Sequence, residues 1–168
     1  MLRVLVPVDG SPNALQAVRH VIDEYRRNHA LELHLLNVQR PFSRHIARFV
    51  ARKDRASFQR EQSERALLEA RRLLDVMQVP YLVHVEVGDR ARTICDLARC
   101  LDCHHIVLGT ARKSSLTRML EDSVTSRVLE ETPVPVEVVA GAAISKLERY
   151  GIPIGIGAGV GALLLLLD

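Results

Sequence analysis

The stretch Leu-Arg-Val-Leu-Val-Pro-Val-Asp-Gly-Ser-Pro, residues 2–12, decides the fold. Leu2 to Val8 is a short, nearly unbroken apolar run rich in valine, as expected of a strand buried on both faces. Ser11 offers a side-chain cap, and Pro12 suits the first helical position, where no amide hydrogen is needed. Beyond it Ala14, Ala17, Val18, Val21, Ile22 and Tyr25 recur at three- and four-residue spacing, while Arg19, Asp23 and Arg26 fall on the wet side.

The rest of the chain repeats this switch from strand to helix. Leu31 to Val38 reads as a second strand, and Pro41 to about Val79 as mostly helical, ending in the amphipathic stretch Ser63 to Val76. Tyr81 to Val87 is a third strand, and Asp89 caps a helix containing Ile94, Leu97, Ala98 and Leu101. His105 to Leu108 is a fourth strand, running into Gly109. After a loop rich in Arg, Lys and Ser, Asp122 and Ser123 both suit the cap of a helix that Thr132-Pro133 stops before the last strand, Val134 to Val139. Five strands alternating with helices imply an α/β fold: a single domain around a parallel, doubly wound sheet. Its ligand crevice should open where the strand order reverses, at the carboxyl ends of the first and fourth strands, beside Asp9 and Gly109.

Composition narrows the function. The chain has 168 residues and 48% hydrophobic content, enough for one well-buried domain and a short appendage. A net charge of +3 is too mild to point to nucleic acid. The first apolar run breaks at Pro7 and Asp9, which is not the core of a signal peptide, and a cytoplasmic location is the expectation. Cys95, Cys100 and Cys103 are clustered too closely for a disulfide framework and suit a reducing compartment.

Val-Pro-Val-Asp-Gly-Ser at 6–11, Val-Leu-Gly-Thr at 107–110, Ser-Val-Thr at 123–125 and Val-Pro-Val at 134–136 stand in an order that resembles the universal stress protein family. The resemblance covers residues 1–140 and leaves 141–168 as an extension. It implies a Rossmann-like sheet of the adenine nucleotide alpha hydrolase type, a homodimer built through Val134 to Val139, and in one subclass an ATP site. Carried over residue by residue, adenine and ribose contacts fall to Pro7, Val8, Asp9 and Val38, and phosphate contacts to Gly109, Ser123, Val124 and Thr125.

That subclass cradles phosphates on three glycines spaced by two and then nine residues, because bare backbone amides can approach an anion closely. Here Gly109 keeps the first position, Arg112 takes the second, and Asp122 takes the third with Ser123 behind it. A carboxylate about 5 Å from a phosphate, at an effective dielectric of about 20, opposes binding by about 3 kcal/mol. Arg112, Lys113 or Arg118 would offset that repulsion by direct phosphate contact. No nucleophile and base stand together near these positions, so an enzyme is not expected. Two readings follow: a dimeric stress-response module acting through an unidentified protein partner, or an ATP-class nucleotide sensor.

Three features lie outside that frame. Cys100-Leu-Asp-Cys103-His104 has haem-attachment spacing and, with His105, zinc-ligand types, but its place at a helix end favours Cys100 as a packed apolar residue. Cys100 and Cys103 are the redox candidates. Arg40, Arg44, Arg48 and Arg52 recur every four residues beside Phe42, Ile46, Phe49 and Val50, as in a basic amphipathic helix whose apolar side packs on the domain. Finally, the uncharged run Gly151 to Leu167, preceded by Lys146 and Arg149, has the composition of a short membrane contact or of a packing tail. No specific nucleic-acid contact is expected.

Overall fold

The computed structural model describes residues 1–110 and 124–141. Arg112, Asp122, Ser123 and the run from Gly151 to Leu167 lie outside them. Among the described residues no helix is long and apolar enough to cross a membrane.

The elements run β1 (Leu2–Pro7), α1 (Pro12–Arg27), β2 (Leu31–Gln39), α2 (Arg44–Phe49), α3 (Arg52–Val76), β3 (Tyr81–Val87), α4 (Arg90–Cys100), β4 (His105–Thr110), α5 (Val124–Glu131) and β5 (Val136–Ala140). They form one parallel sheet of five strands in the order β3-β2-β1-β4-β5. β1 therefore lies between β2 and β4, where the winding reverses. As its sequence implies, β1 is buried on both faces. Val4, Val6 and Val8 join Ala17, Val18, Val21, Leu67 and Leu74 of α1 and α3 in one core layer, while Leu5 joins Ile94, Ala98, Ile106 and Val128 in the other.

The structure departs from the sequence reading at the last strand and in the helical stretch after Pro41, each for a local reason. The last strand begins at Val136, two residues late, because Pro135 has no amide hydrogen and the Val134 amide is turned onto Thr132 Oγ1 at 3.1 Å. The helical stretch after Pro41 breaks in two, with Val50 extended (φ −113°, ψ 128°) between α2 and α3. The four arginines therefore form no single stripe: Arg40 precedes α2, Arg44 and Arg48 belong to it, and Arg52 opens α3. Nor does the apolar side of α2 pack on the domain as expected. Phe49 is 77% exposed, and Ile46 and Val50 are exposed too. Of that segment Phe42 is partly buried, its ring 5.9 Å from that of exposed Phe58.

Candidate functional site

A cleft opens at the carboxyl ends of β1 and β4, where the winding of the sheet reverses. Pro7, Val8 and Asp9 form one wall, Leu36 and Val38 the floor beside β2, and Gly109 the end of β4. Arg90 and Ile94 of α4 and Val124 and Thr125 of α5 close the far side. The cleft holds about 540 Å³ of empty space, its open mouth included.

The β1 wall is fixed by its own backbone chemistry. Asp9 Oδ1 accepts the Ser11 amide hydrogen at 2.9 Å, an Asx turn, and Ser11 Oγ accepts from the Ala14 amide at 3.2 Å as the cap of α1. Gly10 between them has φ +83°, a region that costs any residue with a Cβ. Behind the wall, buried Asn37 donates from Nδ2 to the Val8 carbonyl at 2.6 Å, and Gln39 Nε2 donates to Asn37 Oδ1 at 2.7 Å. The Val8 amide is spent on Leu36 O at 2.8 Å, so Val8 offers the cleft its side chain and the second lone pair of its carbonyl. Gly109 is required for packing before any ligand is considered, because a Cβ there would overlap the Asn13 carbonyl at the start of α1.

The α4 side supplies the charge. Asp89 caps α4 by accepting the Arg92 amide at 3.1 Å, and it also takes both Arg127 nitrogens, at 2.8 and 2.9 Å. Those Arg127 hydrogen bonds, and then the Arg92 amide, hold the Asp89 carboxyl below the usual carboxylate range. Arg127 is thus committed to Asp89 and, at 3.1 Å, to Glu131. Arg90, one residue on, is not committed in this way: its Nε is buried and has no hydrogen-bond partner among the described residues. Arg90 lines both the cleft and an adjoining recess bounded by Arg40, Pro41 and Gly88.

Of the residues the sequence singled out, Pro7, Val8, Asp9, Val38, Gly109, Val124 and Thr125 come together in this cleft. Arg112 and Ser123 lie outside the described residues, as does Asp122. Arg90 was missed, although it directly follows the cap residue Asp89. The cysteine and histidine group does not assemble as a ligand set. Cys103 is buried, with its thiol pushed up to about 11, chiefly by burial, which leaves it a poor nucleophile and a poor redox candidate. Cys100, expected to pack inside, is exposed. His104 is bound to β1 instead: its Nδ1 accepts the Arg3 amide at 3.1 Å and its own amide donates to Arg3 O at 2.9 Å.

Comparison with known proteins agrees with this architecture. The sequence model of the universal stress protein family matches residues 1–140. A universal stress protein of Methanocaldococcus jannaschii is 27% identical over 143 residues, covering 82% of this chain and 81% of that one. Among solved structures, an Arabidopsis thaliana family member with AMP bound superposes with a TM-score of 0.62 at 15% identity, covering 85% of this chain and 94% of that one. A universal stress protein in complex with cAMP gives a TM-score of 0.63 at 18% identity, covering 84% and 98%. At such identities the two structures speak for the fold alone.

Proposed function

Because the chain belongs to the universal stress protein family, we propose that it is a non-catalytic regulatory module whose signal is an adenine nucleotide held in the cleft between β1 and β4. The observation that carries this reading is Arg90 Nε, a buried donor that has no partner among the described residues and belongs to a residue lining a mostly apolar cleft. Leaving such a donor unmet costs about 1–3 kcal/mol, which a phosphate oxygen would offset through a charge-assisted hydrogen bond. Val8, Leu36, Val38 and Ile94 offer an apolar slot for the base, and Asp9, exposed at the rim, an acceptor for ribose hydroxyls. AMP and cAMP in the two structurally similar proteins support the ligand class. With Asp122 at the place of the third phosphate-binding glycine, a single phosphate suits this chain better than three.

Calorimetric titration of AMP and of ATP with magnesium into the full-length protein tests the reading. Arg90→Ala should weaken AMP binding by roughly 10- to 100-fold, the worth of one charge-assisted hydrogen bond. AMP binding unchanged by Arg90→Ala would move the phosphate elsewhere. No heat with either nucleotide up to millimolar concentration would leave the alternative, a module that acts through protein contacts alone.

We further propose that the module is a homodimer. β5 is bonded to β4 on one side and, among the described residues, has no strand on the other. Such an edge, with Val138 exposed on it, is a template for a second copy. Sedimentation of the full chain should give twice the monomer mass; a monomer at micromolar concentration would contradict it.

A further inference from the structure

At the opposite end of α1 from the cleft, a second group of polar side chains converges that the nucleotide reading does not use. His20 and Glu24 lie one turn apart on the same face of α1, and that face packs against β4 and β5. Glu137 of β5 reaches the same point. The ligand atoms of His20, Glu24 and Glu137 all lie within 4.8 Å of one another, the one such grouping of three among the described residues. His20 Nε2 stands 2.6 Å from Glu137 Oε1 and 3.6 Å from Glu24 Oε1. Behind Glu24, the Nε2 of half-buried His105, the first residue of β4, is 3.8 Å from Glu24 Oε2.

Ion-pair contacts alone leave two atoms of this group without a hydrogen bond. His20 Nε2 is shielded from solvent yet lies outside hydrogen-bond geometry with either carboxylate, and Glu24 Oε2, equally shielded, has no hydrogen-bond partner. His20 Nε2 and Glu24 Oε2 are thus gathered beside the Glu137 carboxylate without hydrogen bonds, an arrangement that a cation held between them resolves. Nitrogen and oxygen ligands at about 2.0–2.2 Å from a tetrahedral zinc ion are separated by about 3.3 Å, and the observed 2.6 and 3.6 Å fall on either side of that spacing. We propose that His20, Glu24 and Glu137 form a binding site for a divalent transition metal of the zinc class. Glu137, 41% exposed, leaves a fourth position open to water. His105 orients Glu24 from behind, as outer partners of metal ligands do. The site ties α1 to the strand at the sheet edge, so metal would stiffen that edge.

Zinc titrated by calorimetry into the full-length, metal-free protein should bind one to one. Zinc at about 100 times its Kd should raise Tm by roughly 5–10 °C. Glu137→Gln and Glu24→Gln keep the side-chain shape, and each should abolish both effects while the circular dichroism spectrum stays unchanged. His105→Ala should weaken binding by roughly 10- to 100-fold. Cobalt as a coloured substitute should show visible bands without a thiolate charge-transfer band. Three results would overturn the site: no zinc binding below millimolar concentration, binding that survives both glutamine variants, or a thiolate band, which would place the metal at Cys100 instead.

Discussion

The two ends of α1 do opposite things with similar means. At its start, Asp9, Gly10, Ser11 and the Asn13 carbonyl form a wall made mostly of backbone, in which the Asp9 and Ser11 side chains accept backbone amides and Gly109 is pressed against the helix. Nearer its other end, His20 and Glu24 meet Glu137 and His105 through side chains alone, and polar atoms there are left without hydrogen bonds. A site built on backbone tolerates little change in shape and much change in charge nearby. A site built on side chains tolerates neither loss of a ligand nor loss of its charge, yet contributes little to holding the fold.

That contrast can be broken in order of size. Gly109→Ala should be the most damaging small change, because the added methyl meets the fixed Asn13 carbonyl and not a movable side chain. Overpacking of this kind costs about 3 kcal/mol. Urea unfolding of the full-length protein checks it, and a loss under about 1 kcal/mol would mean that α1 moves away freely. Ser11→Ala comes next. It removes the cap on the Ala14 amide and should cost about 1 kcal/mol by the same assay. An unaltered midpoint would show that the wall does not depend on this cap. Smallest is Glu137→Gln without metal, which should stay within about 0.5 kcal/mol of the parent, since it keeps the shape of a half-exposed side chain. A loss as large as that of Gly109→Ala would make the Glu137 contact structural and erase the distinction between the two ends.

How far the sequence carried these conclusions follows the same division. The fold was legible because each strand announces itself by local composition, and the cleft because Asp9, Gly10 and Ser11 are neighbours whose types suit a turn and a cap. Arg90 was not, since a surface arginine and one whose Nε is buried at the edge of a cleft look alike until α4 is placed against the sheet. Nor was the group at His20, whose three ligands come from two elements, α1 and β5, and become neighbours only when α1 packs on β5. Conversely, the spacing of Cys100, Cys103 and His104 suggested a ligand set that the turn after α4 disperses. Cys103 points into the core and His104 along β1, while Cys100 faces solvent. The arginine repeat at 40–52 failed for a related reason: its period holds only if the helix is unbroken, and Val50 breaks it.

The most direct test of the central claim is to follow backbone amide resonances of the full-length protein as AMP is added. The account expects shifts at Asp9, Val38, Gly109 and Val124, with the side-chain Nε–H of Arg90 moving in step, while residues around His20 and Glu137 stay still. Shifts confined to the His20 end, or none up to millimolar AMP, would contradict it.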